Sequence, residues 1–200
     1  MVIEHTTTSK EEPSLVEPRI IIISGLPGAG KSTTARLLAS QMDRGAHVEA
    51  DKLQEFIVAG GVWPDGSPNV SNEAERQLRL RLHNACLLAR SFAQHGFTTL
   101  IDDIVIGQRL EQAIEELAGT SFGFVMLLPD FDLVRDRWRA IGSRFVDQWQ
   151  WIDTEIRTRT RRVGLWLNTT NLTPEQTVRE ILRRIDETRV SESSKPNLTL

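Results

Sequence analysis

Eight consecutive residues, Gly25-Leu26-Pro27-Gly28-Ala29-Gly30-Lys31-Ser32, meet the pattern G-x-x-x-x-G-K-[ST] at every fixed position. The glycines let the backbone turn tightly, so that several N–H groups converge on one chain of anions. A helix starting at this point adds the positive end of its dipole. Lys31 is a cationic arm suited to the β- and γ-phosphates of a nucleotide, and the Ser32 hydroxyl is a ligand suited to Mg²⁺. The expected phosphate contacts are therefore Gly25, Pro27, Gly28, Ala29, Gly30, Lys31, Ser32 and Thr33.

Three acids complete a possible phosphoryl-transfer site. Asp51 follows the short strand expected at 46–50, where it could accept the proton of an attacking hydroxyl or simply cap the next helix. Asp102 and Asp103 end a second apolar run, 97–101, at the place where a Mg²⁺-holding carboxylate is required. Alternation along a strand turns the two to different faces, so one of them can serve the metal while the other caps a helix. Arg135, Arg137, Arg139 and Arg144 crowd one later segment. Arginines there can neutralise phosphate charge and stack on a purine, or can pair along a solvated face.

The elements that must hold these groups are legible around them. Four isoleucines at 20–23 are stiff, β-branched and apolar without alternation, as in a strand buried on both faces. A helix follows the glycine loop to about Met42. Strands are expected at 46–50, 97–103, 121–128 and 163–167, and helices at 52–59, 71–94, 108–118, from 132, at 148–162 and at 173–188. In the long helix Leu78, Leu82, Ala85, Leu88 and Phe92 keep the apolar period, while Arg76, Arg79, Arg81 and His83 fall mostly between them; one arginine could face an acceptor. The Gly/Pro-rich loop 60–68 carries Trp63, which suits a substrate lid or a loop pinned to the core.

Five strands alternating with helices predict a three-layer α/β/α domain with a five-stranded parallel sheet, over 19–190, between polar tails at 1–18 and 191–200. A net charge of −3 supplies no field for nucleic acid or an anionic membrane. There is no bilayer-spanning apolar run, no zinc-like Cys/His spacing and no signal-type segment, so a cytoplasmic location is the expectation. The single Cys86 lies in an apolar helical stretch and is read as a core residue.

On the glycine loop, Asp51, Ile101-Asp102-Asp103, Arg137 with Gly142-Ser143-Arg144, and Asn168-Thr169-Thr170, the chain resembles the P-loop kinases of small molecules, and most of all the chloramphenicol phosphotransferase-like group, over about residues 19–188. The resemblance implies a P-loop NTPase fold of the nucleoside-kinase type, ATP with Mg²⁺, and transfer of the γ-phosphate to a hydroxyl of a small molecule. It casts Asp51 as base, Lys31, Arg137 and Arg144 as transition-state cations, Ser32, Asp102 and Asp103 as metal groups, and Thr169 with Arg137 as nucleotide contacts. The loop departs from that group's Gly-Gly-Ser-Ser-Ala-Gly-Lys-Ser and has a more generic form shared with gluconate kinases, zeta toxins and polynucleotide kinases. Ile141 and Asn168 also stand where an arginine and an aspartate are usual. Two other readings stay open: a kinase of nucleic-acid 5′-hydroxyls, which the charge disfavours, and a nucleotide switch, for which the Asp-x-x-Gly and Asn-Lys-x-Asp motifs are missing.

Overall fold

The computed structural model describes residues 18–140 and 149–191. Its centre is β1 (Ile20–Gly25), every residue of which is buried. The four isoleucines are at most 1% exposed, as expected of a strand covered on both faces. β1 runs parallel to β3 (Thr98–Asp102) on one side and to β4 (Phe122–Leu127) on the other. The edges are β2 (Gly45–Glu49), parallel to β3, and β5 (Leu165–Leu167), parallel to β4. The order is therefore β2-β3-β1-β4-β5, the expected five-stranded parallel sheet. Since all strands point one way, their carboxyl ends share one edge, where open α/β sheets bind ligands.

Helices cover the sheet. α1 (Lys31–Ala39) leaves the glycine loop and packs with α7 (Pro174–Arg183). α7 opens with the capping box that its sequence announces: Thr173 accepts from Gln176 N–H and Gln176 returns the bond. α3 (Asn72–Gln94) packs with α4 (Gln108–Glu116) and with the short α2 (Ala50–Glu55). α5 (Phe131–Ala140) and α6 (Gln150–Thr158) approach the carboxyl edge, and a 3-10 turn, Ile185–Thr188, follows α7.

Several expectations are corrected. α2 begins at Ala50, straight out of β2, with Glu49 as its cap residue. Asp51 is thus a first-turn residue of α2 rather than its cap. The helix also ends at Glu55, short of the expected 59. On α3, Arg81 belongs to the buried face with Leu78, Leu82 and Ala85, whereas Leu88 and Phe92, expected inside, are about 40% exposed. Loop 60–68 is pinned, but by polar bonds rather than by its tryptophan. Gln77 donates to the Gly60 carbonyl and accepts from Val62 N–H, and the Trp151 indole donates to the Gly66 carbonyl. Trp63 stays half-exposed. Cys86 is buried as expected, and burial pushes its thiol up to about 12.

Candidate active site

The glycine loop joins β1 to α1 at the middle of the carboxyl edge. Gly28 and Gly30 have φ of 79° and 90°, backbone that side-chain-bearing residues rarely adopt. Gly28 is also sterically required: a Cβ there would come within 2.0 Å of the Trp138 indole nitrogen of α5. Gly30 forms the left-handed start of α1, whose first turn contains no acid to compete with a phosphate.

Lys31, expected to reach the β- and γ-phosphates, donates here to the Leu26 carbonyl of its own loop at 3.0 Å. An ammonium has three donors, so that bond uses one of them. Burial lowers the Lys31 pKa, while Asp102, Asp103 and Asp51 pull it back up. The amino group is therefore close enough to all three carboxylates to be perturbed by their charge.

The two acids that end β3 diverge. Asp102 is 5% exposed; it accepts from the Ser32 hydroxyl at 2.6 Å and is bonded through its other oxygen to His47 Nε2 of β2 at 2.5 Å. Asp103, 6% exposed, turns to the other side and is clamped by Arg81, which donates to both its oxygens, with Ile104 N–H adding a third bond at 2.7 Å. The expected pairing of Asp103 with a metal is thereby corrected in geometry: Arg81 holds both of its oxygens, whereas Asp102 faces Ser32. Arg81 has a further donor, Nη1, which reaches Asp51 Oδ1 at 2.7 Å. One buried guanidinium thus fixes a buried carboxylate just past the end of β3 and an accessible one on α2.

Asp51 has a 66% exposed side chain, open to the cavity. Desolvation by the surrounding protein raises its pKa, against the pull of Arg81, with Asp103 adding to the rise, Lys31 opposing it and Asp102 adding again. Such a carboxylate is a better proton acceptor than an ordinary aspartate.

These groups line one cavity of about 400 Å³, bounded by Gly28, Lys31, Ser32, Asp51, Arg81, Asp102 and Asp103 on the polar side and by four tryptophans, Trp63, Trp138, Trp149 and Trp151, on the other. This volume is in the range of small-molecule sites. Trp138 and Trp149 meet edge to face, ring centres 4.9 Å apart. Across the loop lies a second cleft formed by Ala29, Gly30, Thr33 and residues 169–174. Thr169 lines it, buried, and its hydroxyl has no hydrogen-bond partner among the described residues. The Arg137 side chain and Arg144 lie outside the described residues.

Arg81, His47, Arg109 and the cluster of tryptophans were not singled out as site residues from sequence. Arg81 carried a signal: it sits three residues after Leu78 and one before Leu82, on the apolar face, where an unpaired charge is costly. His47 and the dispersed tryptophans gave none, because only the sheet order and the packing of α5 and α6 bring them together.

A glycine loop after the central strand of a 2-3-1-4-5 parallel sheet, with an acid at the end of the neighbouring strand, makes this an α/β fold of the P-loop type. The comparisons agree. The model of the zeta toxin family matches residues 3–91, somewhat under half the chain. Similar solved structures include the APS kinase of Mycobacterium tuberculosis in complex with AMPPNP and APS (TM-score 0.65, 18% identity, covering 85% of this chain and 98% of that one). A tunicamycin resistance protein of Deinococcus radiodurans is similar at TM-score 0.61 and 20% identity, over 88% and 99% of the two chains. A sugar kinase of Janibacter sp. HTCC2649 is similar at TM-score 0.60 and 18% identity, over 84% and 95%. None of the curated proteins matches the chain. No helix among the described residues is long and apolar enough to cross a membrane.

Proposed function

We propose that the protein is an ATP-dependent phosphotransferase that moves the γ-phosphate of ATP to a hydroxyl of a small molecule. The observation that carries this reading is the shared cavity: an exposed, pKa-raised carboxylate, Asp51, faces the same space as Lys31 and the Ser32–Asp102 pair.

The residues fit Mg·ATP. The glycine-loop N–H groups and the N-terminus of α1 suit the phosphate chain. The orphaned Thr169 hydroxyl and the cleft beside it suit the nucleoside end. Mg²⁺ takes one or two protein ligands and completes its shell with phosphates and water. Ser32 and Asp102 would hold it, and it would supply neutralisation of the phosphate charge; Asp103 is assigned instead to Arg81.

Each residue then has a task. Asp51 orients the acceptor hydroxyl and takes its proton as the oxygen bonds to the terminal phosphorus and the bond to the departing ADP oxygen breaks. Lys31 leaves the Leu26 carbonyl to meet the phosphates. Arg137 and Arg144 of the arginine-rich segment add positive charge from the nucleotide side. Catalysis is positioning plus charge neutralisation. The finer affinity with chloramphenicol phosphotransferases, and a location in the cytoplasm, belong to this proposal and rest on the sequence motifs and composition.

The test is an ATP-consumption screen over hydroxylated metabolites, sugars, nucleosides, antibiotics and a 5′-hydroxyl oligonucleotide, with Lys31→Ala as control. Acceptor-dependent ADP release that disappears in Lys31→Ala is expected. Nucleotide binding that prefers GTP, with no acceptor phosphorylated, would return the switch reading; transfer to the oligonucleotide alone would make it a nucleic-acid end kinase.

A further inference from the structure

The acceptor side of the cavity carries information about charge and shape that the kinase reading does not use. Its cations are Lys31, Arg81 and Arg109, and its anions are Asp51, Asp102 and Asp103, so the formal charges of the described lining cancel. Each cation is also engaged. Arg81 pairs with two carboxylates at once, giving three of its five N–H groups to Asp103 and Asp51. Arg109 is 13% exposed and pairs with Glu75 at 2.8 Å. Lys31 is bonded within the glycine loop and serves the nucleotide. An acceptor bearing a phosphate, sulfate or carboxylate would meet cations whose charge is already offset and would lie beside the open carboxylate of Asp51, a like-charge juxtaposition that disfavours it.

The rest of the wall is aromatic. Four of the five tryptophans of the chain line this one cavity. The Trp151 indole N–H is occupied by the Gly66 carbonyl, so that side chain has only its apolar surface left to offer. Trp63, half-exposed on the pinned loop, forms the rim. Broad indole faces gain most from a flat or ring-shaped apolar partner.

From these two observations we propose that the acceptor is an uncharged alcohol with an apolar ring face, either an aryl ring or the CH face of a neutral sugar, and that the site discriminates against anionic acceptors. The inference rests on the kinase reading of the site. It separates this protein from kinases whose acceptor is itself an anion, and from kinases of nucleic-acid ends, by a feature of its own cavity: Arg81 and Arg109, the arginines of the described lining, are paired with carboxylates before the acceptor arrives.

The test uses the full chain with Mg·ATP and two matched pairs of acceptors: 1-phenyl-1,2-ethanediol against its para-carboxylate, and methyl glucoside against methyl glucuronoside. The neutral member of at least one pair should exceed its anionic partner in kcat/KM by about tenfold or more, and the pair that shows it tells an aryl ring from a sugar ring. Trp63→Ala should raise KM for that neutral acceptor about tenfold, and Trp63→Phe should restore most of it. An anionic partner used equally well or better overturns the inference and leaves the kinase reading standing. Calorimetric binding of a neutral probe without phosphate transfer keeps the inference and defeats the kinase reading. Absence of binding by both neutral probes overturns the inference.

Discussion

Asp51 and Asp103 are held by the same guanidinium, yet their burial gives them different work. Asp103 is enclosed, and the Arg81 fork satisfies both of its oxygens. Asp51 keeps an open side chain and a pKa raised mainly by desolvation. A base works only when ionised, so kcat/KM should fall as the pH drops through the Asp51 pKa. Because that pKa is raised, the fall should begin at higher pH than for an ordinary aspartate. Solvent at the exposed carboxylate moderates the shift. A pH–rate profile measures it, and a limb at or below the ordinary aspartate value would contradict the assignment. The sequence placed Asp51 and the 102–103 pair at strand ends, where chemistry gathers. It could not say which of the two adjacent acids meets Ser32, since that depends on how β3 sits between β1 and β2.

α3 is the element that ties the acceptor side together. Its buried face carries Arg81 toward α2 and β3, and Gln77 toward loop 60–68. Removing one partner of a buried pair strands the other, so Arg81→Met should destabilise the fold by about 3–5 kcal/mol. For a chain of this size that is a fall in Tm of roughly 10 °C or more by calorimetry. Pairing Arg81→Met with Asp103→Leu should lose less than Arg81→Met alone, because no charge is then left buried. The course of α3 was readable from its period; its cap is Ser71, which accepts from Ala74 N–H. Its inner face was misjudged, because a lone arginine among several surface arginines looks like one more solvated charge. The ends of α2 were misjudged for a different reason: β2 passes into the helix without the turn that a capping aspartate would mark.

For the molecule as a whole, the alternation of apolar runs with helical periods already implied a parallel sheet, and the run of isoleucines identified its buried centre. The strand order was not readable, because hydrophobic patterning is silent about which strands are neighbours. The tryptophan-lined cavity escaped notice for the same reason: residues 63, 138, 149 and 151 meet only after the chain has crossed the sheet. The core offers its own probe. Cys86 is 1% exposed and its thiol is pushed up to about 12, so a thiol reagent should modify the native protein only at the rate of global unfolding. Labelling that outpaces unfolding measured by fluorescence would show that α3 opens locally.

The central claim is that the phosphate loop and the Asp51 carboxylate act on one acceptor across one cavity. It is tested most directly by comparing wild-type protein and Asp51→Asn in transfer of radiolabelled γ-phosphate to the acceptor found by screening, with ATP affinity measured alongside. The account predicts unchanged ATP binding and a loss of transfer of about a hundredfold or more; undiminished transfer in Asp51→Asn would contradict it.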